Sequence, residues 1–432
     1  MTGVQTCALP IFDIGANRAI TLNDADGFIT NGLLIVGDGS HGYRFSVGSG
    51  TQWIFDDTDD LVEIRVTAAS NTAGRNHMIF GAFTINDDLL VDHRVAGVNR
   101  AFRITNSIFE GAAGLDLFKV GVGQLNIEGT AAYSGMTSVD GGVLQLTNAG
   151  VLSASTNIVV HQGTLEINNA GNNIGDRIGD AAVITSRGGG LTFSHDAAAA
   201  TAFSETLDQL DFRSGNTLIQ MTAGAADGSS ALLFSNATAA IVRSGAGATA
   251  RIEAPGLGTN AQNEILLVPG AGLPAPQNGI IPWVVVKDGV GGTGADYNLA
   301  TTNTGTGGHI GITALTAYQQ NPESIWIAAD NVRPLGDENL SGNRALNALV
   351  LDDGIDIRGD AGSANDRRLD FNTAGGAAAI LQTGGTSLVE RGTFNANNDL
   401  ILNFGNNQGI FHTIGTLQIS RANSNEQIRG TN

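Results

Sequence analysis

Apolar side chains recur at every second position in short bursts along the chain, and each burst ends within a few residues on Gly, Asn, Asp or Ser. Tyr43/Phe45, Trp53/Phe55, Leu125/Ile127, Leu144/Leu146, Leu165/Ile167, Leu191/Phe193, Leu369/Phe371, Leu400/Leu402 and Leu417/Ile419 are examples. A period of two puts such pairs on one face of a strand, and the interrupting residues are those that turn corners. The pattern therefore predicts half-buried strands joined by tight turns over most of the chain. Helix signals are poor: the alanines at 197–200 form a short run that Thr201 ends, with no 3.6-residue stripe around it.

A second, longer period overlies the first. Leu125, Leu144, Leu165 and Leu191 follow one another at loose, slowly widening steps, roughly one leucine for every 20-odd positions. Spacings of this size mark stacked coils of a solenoid, whereas sandwich strands would recur about every 8–12 residues. The expected fold class is all-β, a right-handed parallel β-helix (solenoid), incomplete at both ends. Each strand then pairs with its equivalent one coil away, and inward residues stack in ladders. At about 20 to 28 residues per coil, the chain would make on the order of 15 to 20 coils, stacked about 4.8 Å apart.

Composition supports a solenoid over several globular domains. The 60 glycines among 432 residues are about twice the usual share, while charged residues are 15% and aromatic ones 6%. With 42% hydrophobic residues the chain is not of the disordered class. Outside residues 1–11 all prolines, Pro255, Pro269, Pro274, Pro276, Pro282, Pro322 and Pro334, fall in one window. Regular pairing should weaken there. The expected organisation is regular coils over 12–254, irregular proline-containing coils and loops over 255–344, and regular coils again over 345–432, all segments of one solenoid.

Residues 1–11 (MTGVQTCALPI) do not share this pattern and read as an adapter-derived artefact, excluded from fold reasoning. Cys7, the only cysteine, lies within them, so the rest of the chain has no disulfide framework and no thiol chemistry. The formal net charge is -19, with Lys119 and Lys287 the only lysines. That excludes the basic footprint of nucleic-acid binding and of attraction to anionic lipid. No uncharged apolar run approaches the length of a membrane-spanning helix, about 18 residues, so no membrane insertion of this stretch is expected.

Residues 119–146 read KVGVGQLNIEGTAAYSGMTSVDGGVLQL. Lys119, Gly121, Gly123 and Leu125 form a Lys-x-Gly-x-Gly-x-Leu opening. Tyr133, Ser134 and Gly135 form the centre, Thr137 and Val139 a Thr-x-Val strand, and Gly142, Leu144 and Leu146 the close. This arrangement resembles the autotransporter-associated β-strand repeat, with Met136 where that pattern usually has Gly. The resemblance implies a passenger-type β-helix stalk, secreted or displayed at the outer-membrane surface of a Gram-negative-type bacterium. It implies a C-terminal β-barrel translocator in sequence beyond this chain, and it leaves host-surface, matrix or polysaccharide contacts open as partners. The chain stops at residues 427–430, where another opening of this kind would be expected, so both ends are expected to be cut short. Exposed terminal coils would then be an aggregation liability.

No familiar catalytic motif is visible, and the expectation is no catalytic residue, no cofactor and no metal. The acidic groups at 56–60, 23–27 and 352–353 read as solvated turns. An EF-hand at Asp24/Asp26 is excluded because Leu22 and Leu33 would hold its first and last ligand positions. The stretch 291–296 resembles the start of a calcium-binding nonapeptide, but there is one copy, and Asn298 stands where an apolar inward residue is needed. A calcium-stiffened repeat would melt in a chelator-sensitive way. The seven histidines, His41, His77, His93, His161, His195, His309 and His412, show no metal-ligand spacing. Asp92 and His93 are strand neighbours pointing to opposite faces, so they are not a preassembled dyad. No serine sits in a Gly-x-Ser-x-Gly elbow. The alternative to a structural stalk is a polysaccharide lyase or glycoside hydrolase on the same fold. Three or more carboxylates with an arginine within about 5 Å on one groove would favour it.

Overall fold

The computed structural model describes residues 18–22, 28–30, 32–36, 42–47, 52–57, 60–67, 76–97, 101–195, 201–222, 229–258, 263–269, 276–288, 296–359, 366–371, 378–390, 400–419 and 427–429. Residues 1–11, the acidic turn at 23–27, His41, the alanine run and the glycines of 291–295 lie outside them. The chain divides into two compact units, Met1–Thr249 with Ala261–Gly272, and Ala250–Asn260 with Leu273–Asn432.

The first unit is a parallel β-helix. Along the chain, strands fall in turn on three faces, for example Gln124–Ile127, Thr130–Ala131 and Thr137–Val139 in one coil, then Val143–Leu146, Val151–Leu152 and Asn157–Val160 in the next. Each pairs in parallel with its equivalent one coil away. The third face is a sheet of nine strands running from Leu33–Val36 to Ile241–Val242. The second face continues after Leu152 through a bridge to Ile178, and later through Phe203–Leu207, Ser230–Phe234 and Asn263–Leu267.

The leucines that set the long period in the sequence lie in one column. Leu125 pairs with Leu144, Leu144 with Leu165 and Leu165 with Leu191, and all four are buried. A parallel column runs Phe45, Ile79, Ile104, Ile127, Leu146, Ile167, Phe193 and Met221, buried throughout. Burying one such side chain contributes about 1.5–3 kcal/mol, and in a solenoid the gain accrues coil by coil because each coil seals the next. Arg44 and Met78, well separated along the chain, still pair in register.

The second unit holds a shorter parallel β-helix of three four-stranded sheets. One of them, Asn331–Val332, Ala348–Leu351, Ala378–Gln382 and Gly409–Thr413, is covered on both sides. Leu349, Leu351 and Ile380 face the coil interior with Trp326, Leu340 and Phe404. Ala348, Val350, Ala379 and Leu381 face Ile280, Val285, Tyr297 and Leu299. This explains why Ala348–Leu351 and Ala378–Gln382 are unbroken apolar runs without alternation. The covering layer is antiparallel: Ile281–Lys287 pairs with Tyr297–Thr304, and Tyr297–Thr304 with Ile310–Ala314. Within the proline window, regular coils thus give way to hairpin strands. The register shift between Ile281 and Val285 lies beside Pro282, which has no N–H to give to a ladder.

Candidate functional site

The residues of 119–146 are organised around a corner of the first unit. Lys119 faces inward, in register between Val91 and Val139, and is fully buried. Its ammonium turns to the corner and donates to the carbonyls of Val120 (2.7 Å), Gly121 (3.1 Å) and Gly141 (3.0 Å). Burial pushes the amine down to about 8, with the nearby Asp92 charge opposing the shift. Gly121 adopts φ +76, and a Cβ there would lie 2.4 Å from the His93 carbonyl oxygen. At Gly123 a Cβ would lie 1.7 Å from His93 Nδ1. Gly121 therefore admits the His93 carbonyl, and Gly123 leaves the volume that the buried His93 ring fills.

The centre of the motif forms a buried polar chain. Tyr133 and Thr137 hydroxyls are 2.7 Å apart, Thr137 and Ser155 hydroxyls 2.9 Å, and Ser155 donates to the Gly135 carbonyl at 2.7 Å. Burial drives the Tyr133 phenol well above its ordinary value, so it remains protonated. The Ser134 hydroxyl accepts from Gly114 N at 2.9 Å, and a Cβ at Gly135 would collide with the Leu115 carbonyl. Met136 N donates to Asp116 at 2.6 Å. Gly142 takes φ +61 at the corner, and Val139, Leu144 and Leu146 fill interior columns. All twelve positions thus serve stacking and corner geometry.

Asp92 pairs with Arg94 at 2.6 Å and Arg65 at 3.9 Å, while His93 is packed against Gly123 and accepts from Val95 N at 3.3 Å. The acidic turns bind backbone and neighbouring side chains. Asp56 accepts from Asn86, and Asp87 from the Asp57 backbone. Asp352 receives Arg333 at 2.7 and 2.9 Å, and Asp353 receives Thr386 N at 3.2 Å. Asn298 accepts from Arg333 at 2.8 Å. Among the described residues no three His, Cys, Asp or Glu side chains form a group able to hold a metal ion. Among the same residues no helix is long and apolar enough to cross a membrane.

Three constellations escaped sequence reasoning. In the first unit Asp140, His161 and Arg187 are joined in a chain, Asp140 to His161 Nδ1 and His161 Nε2 to Arg187 at 3.2 Å. Their separations along the chain, 21 and then 26, are the steps that also join Leu144, Leu165 and Leu191. Extending the coil spacing to outward positions would have found them. In the second unit Arg358 contacts Asp337 at 2.8 Å, Glu390 at 3.3 Å and Asp356. That meets the count of carboxylates set above for an enzyme. Asp356 N donates to Asp337 and Leu388 N to Asp356, so two of the carboxylates also tie coils together.

The third lies at the 3-10 turn Glu323–Ile325, whose neighbour Trp326 packs on the interior of the second unit. Glu323 receives Ser341 N at 3.1 Å, Ser341 Oγ at 2.6 Å and Arg344 Nε. Burial works to raise the Glu323 carboxyl, but these donors outweigh it and hold it below the usual range. Glu338 accepts from Glu323 N at 3.2 Å, and burial with the Glu323 charge raises it.

No family model matches the chain, and no curated protein and no solved structure matches it. The class that can be stated is an all-β protein built on parallel β-helix.

Proposed function

We propose that this chain is a structural, passenger-type β-helix stalk of a secreted or surface-displayed protein, a spacer and display scaffold with adhesive contacts through its loops. Its place would be the extracellular or outer-membrane surface of a Gram-negative-type bacterium, with a β-barrel translocator supplied elsewhere in the full protein. The observation that carries this reading is the Leu125, Leu144, Leu165, Leu191 column, which makes each coil a seal for its neighbours. The excess of acidic over basic side chains, 41 against 22, favours solubility of such a scaffold. The twelve motif residues support it too, since packing and corner geometry account for each of them. A scaffold depends on coil register and tolerates a change in coil number. Removing residues 144–164, one complete coil, should preserve folding and display on a cell surface. Removing only 144–153 should abolish both, and equal loss from the two deletions would refute the reading.

A glycan-cleaving enzyme is the second reading, favoured by two observations in the second unit. Arg358 gathers three carboxylates. Glu323 and Glu338 are adjacent carboxyls shifted in opposite directions, the pattern of a base and an acid. The three donors on Glu323 suit an anchor for the 3-10 turn equally well, and the scaffold reading takes them so. Release of reducing ends or unsaturated products from pectic or neutral polysaccharides, lost in Glu338→Gln, would instead establish the enzyme.

A further inference from the structure

Asn278 and Gly279 make a two-residue turn just before the strand Ile281–Lys287 of the second unit. Asn278 has φ +44 and Gly279 φ +81, the positive values that a type I′ loop needs at both positions. Gln277 N donates to the Ile280 carbonyl at 2.7 Å and Ile280 N to the Gln277 carbonyl at 3.1 Å, which closes the turn. Both turn residues are exposed, while the adjoining Ile280 is fully buried in the cluster that contains Ala348 and Val350.

The turn is held from below by amides. Asn278 Nδ2 donates to Asn347 Oδ1 at 3.0 Å, and Asn331 Nδ2 donates to the Asn278 carbonyl at 2.9 Å. Asn347, fully buried, donates through Nδ2 to Asn331 Oδ1 at 2.7 Å and to the Gln277 carbonyl at 3.3 Å. Asn278 Oδ1 and Gly279 N make no hydrogen bond among the described residues. A Cβ at Gly279 would meet nothing within 4 Å. The Gly279 nitrogen is thus an unengaged nucleophile next to the Asn278 amide carbon, with no side chain of its own to block approach. The chain holds a second Asn-Gly pair at 31–32, whose asparagine lies outside the described residues.

We propose that Asn278 is a site of spontaneous deamidation, and that the amides of Asn331 and Asn347 act as its brake. Gly279 N, deprotonated by hydroxide, bonds to Asn278 Cγ; the Cγ–Nδ2 bond breaks and ammonia leaves with a proton from water. Water then opens the cyclic imide at either carbonyl, giving aspartate or isoaspartate, so water and hydroxide are the only reagents. For attack the side-chain amide must turn toward its own main chain, and the bond to Asn347 resists that turn. The product has no Nδ2 donor for Asn347 Oδ1. Asn347 cannot offer its own amide hydrogens instead without giving up Asn331 and Gln277. Isoaspartate also lengthens the main chain inside the two-residue turn, which disturbs the pairing that seats Ile280. The change is therefore irreversible and loosens the covering layer over the parallel sheet. It goes beyond the scaffold reading and does not depend on it.

The test is incubation of the full chain in mildly alkaline buffer, with samples digested and read by mass spectrometry for the amide-to-acid mass gain and for isoaspartate. Conversion at Asn278 is expected in the native protein, faster than at Asn236, which Ala237 follows, and slower than in the same chain unfolded in urea. Asn347→Ala should speed conversion at Asn278 by about two- to tenfold, the scale of one lost hydrogen bond, and leave Asn236 unchanged. The Asn236 rate separates release of this brake from general loosening. Asn278→Asp, which installs one of the two products, should melt below the wild type. No conversion at Asn278 in the native chain, conversion no faster than at Asn236, or an unchanged Asn278 rate in Asn347→Ala overturns the proposal. If Asn347→Ala fails to fold, Asn331→Ala, which frees the Asn278 carbonyl, is measured against the same outcomes.

Discussion

The ammonium of Lys119 donates to the carbonyl oxygen of Gly141 at 3.0 Å, joining an interior side chain of one coil to the corner of the next. Lysine is among the rarest residues at a fully buried position, and here three carbonyls replace its water. Lys119 is therefore a corner clamp, and Gly121 after it lets the His93 carbonyl approach.

This clamp predicts a pH dependence. The folded amine titrates at about 8 and the unfolded one near its ordinary 10.5. Between these values the unfolded chain binds more protons, so stability rises with pH across that window, and below pH 8 the full cost of burying the charge is present. The total change is on the order of 3 kcal/mol at 1.36 kcal/mol per unit. Urea unfolding from pH 7.5 to 10.5 should show the rise in the wild type and its loss in Lys119→Met; a flat wild-type profile would contradict it.

Glu205 predicts the opposite slope at lower pH. Burial raises its carboxyl to about 7, although the backbone N–H groups of Ile178 and Arg177 donate to it at 2.8 and 3.1 Å. Asp176 adds to the shift and the Arg177 guanidinium opposes it. Between the unfolded value of 4.5 and about 7 the folded state binds more protons, so stability falls as pH rises through this range. Calorimetric melting in buffers from pH 4.5 to 7.5 should show the decline in the wild type, with a smaller slope in Glu205→Gln.

Gly123→Ala should be destabilising by about 1–3 kcal/mol, because the new methyl enters the volume of the His93 ring. Gly247→Ala, where nothing lies within 4 Å, should be neutral or stabilising by up to about 1 kcal/mol. The double variant Gly123→Ala/His93→Ala should fall short of the summed single effects, since the collision is removed. Chemical denaturation of the wild type, these three variants and His93→Ala decides the matter, and additive losses would count against the packing described.

Much of the fold was legible before any coordinates. Alternation in Leu125/Ile127 and Leu144/Leu146 reads directly as strands, and the spacing of the leucines matches the pairing register residue for residue. Ala348–Leu351 and Ala378–Gln382 were less legible, because burial on both faces erases the alternation that marks a strand. The antiparallel layer at Ile281–Lys287 and Tyr297–Thr304 was also hidden, since prolines announce a break in pairing without saying what replaces it. Side-chain clusters were the hardest. Asp140, His161 and Arg187 meet only through coil register, and so do Arg358 and Glu390, which are paired directly one coil apart.

Register is the quantity on which the account turns, and an engineered disulfide measures it. In a Cys7→Ser background, Gln145→Cys/Glu166→Cys places two outward thiols on directly paired rungs, one full coil apart in sequence. Paired Cα atoms one strand spacing apart are within disulfide reach, roughly 4.4–6.8 Å. Gln145→Cys/Asn168→Cys shifts one partner by two positions along the same strand, where the diagonal distance is about 7–8 Å. Mild oxidation of the folded protein followed by mass spectrometry should give near-complete cross-linking of the first pair and little of the second. Failure of the first pair, or equal cross-linking of both, would contradict the stacked coils.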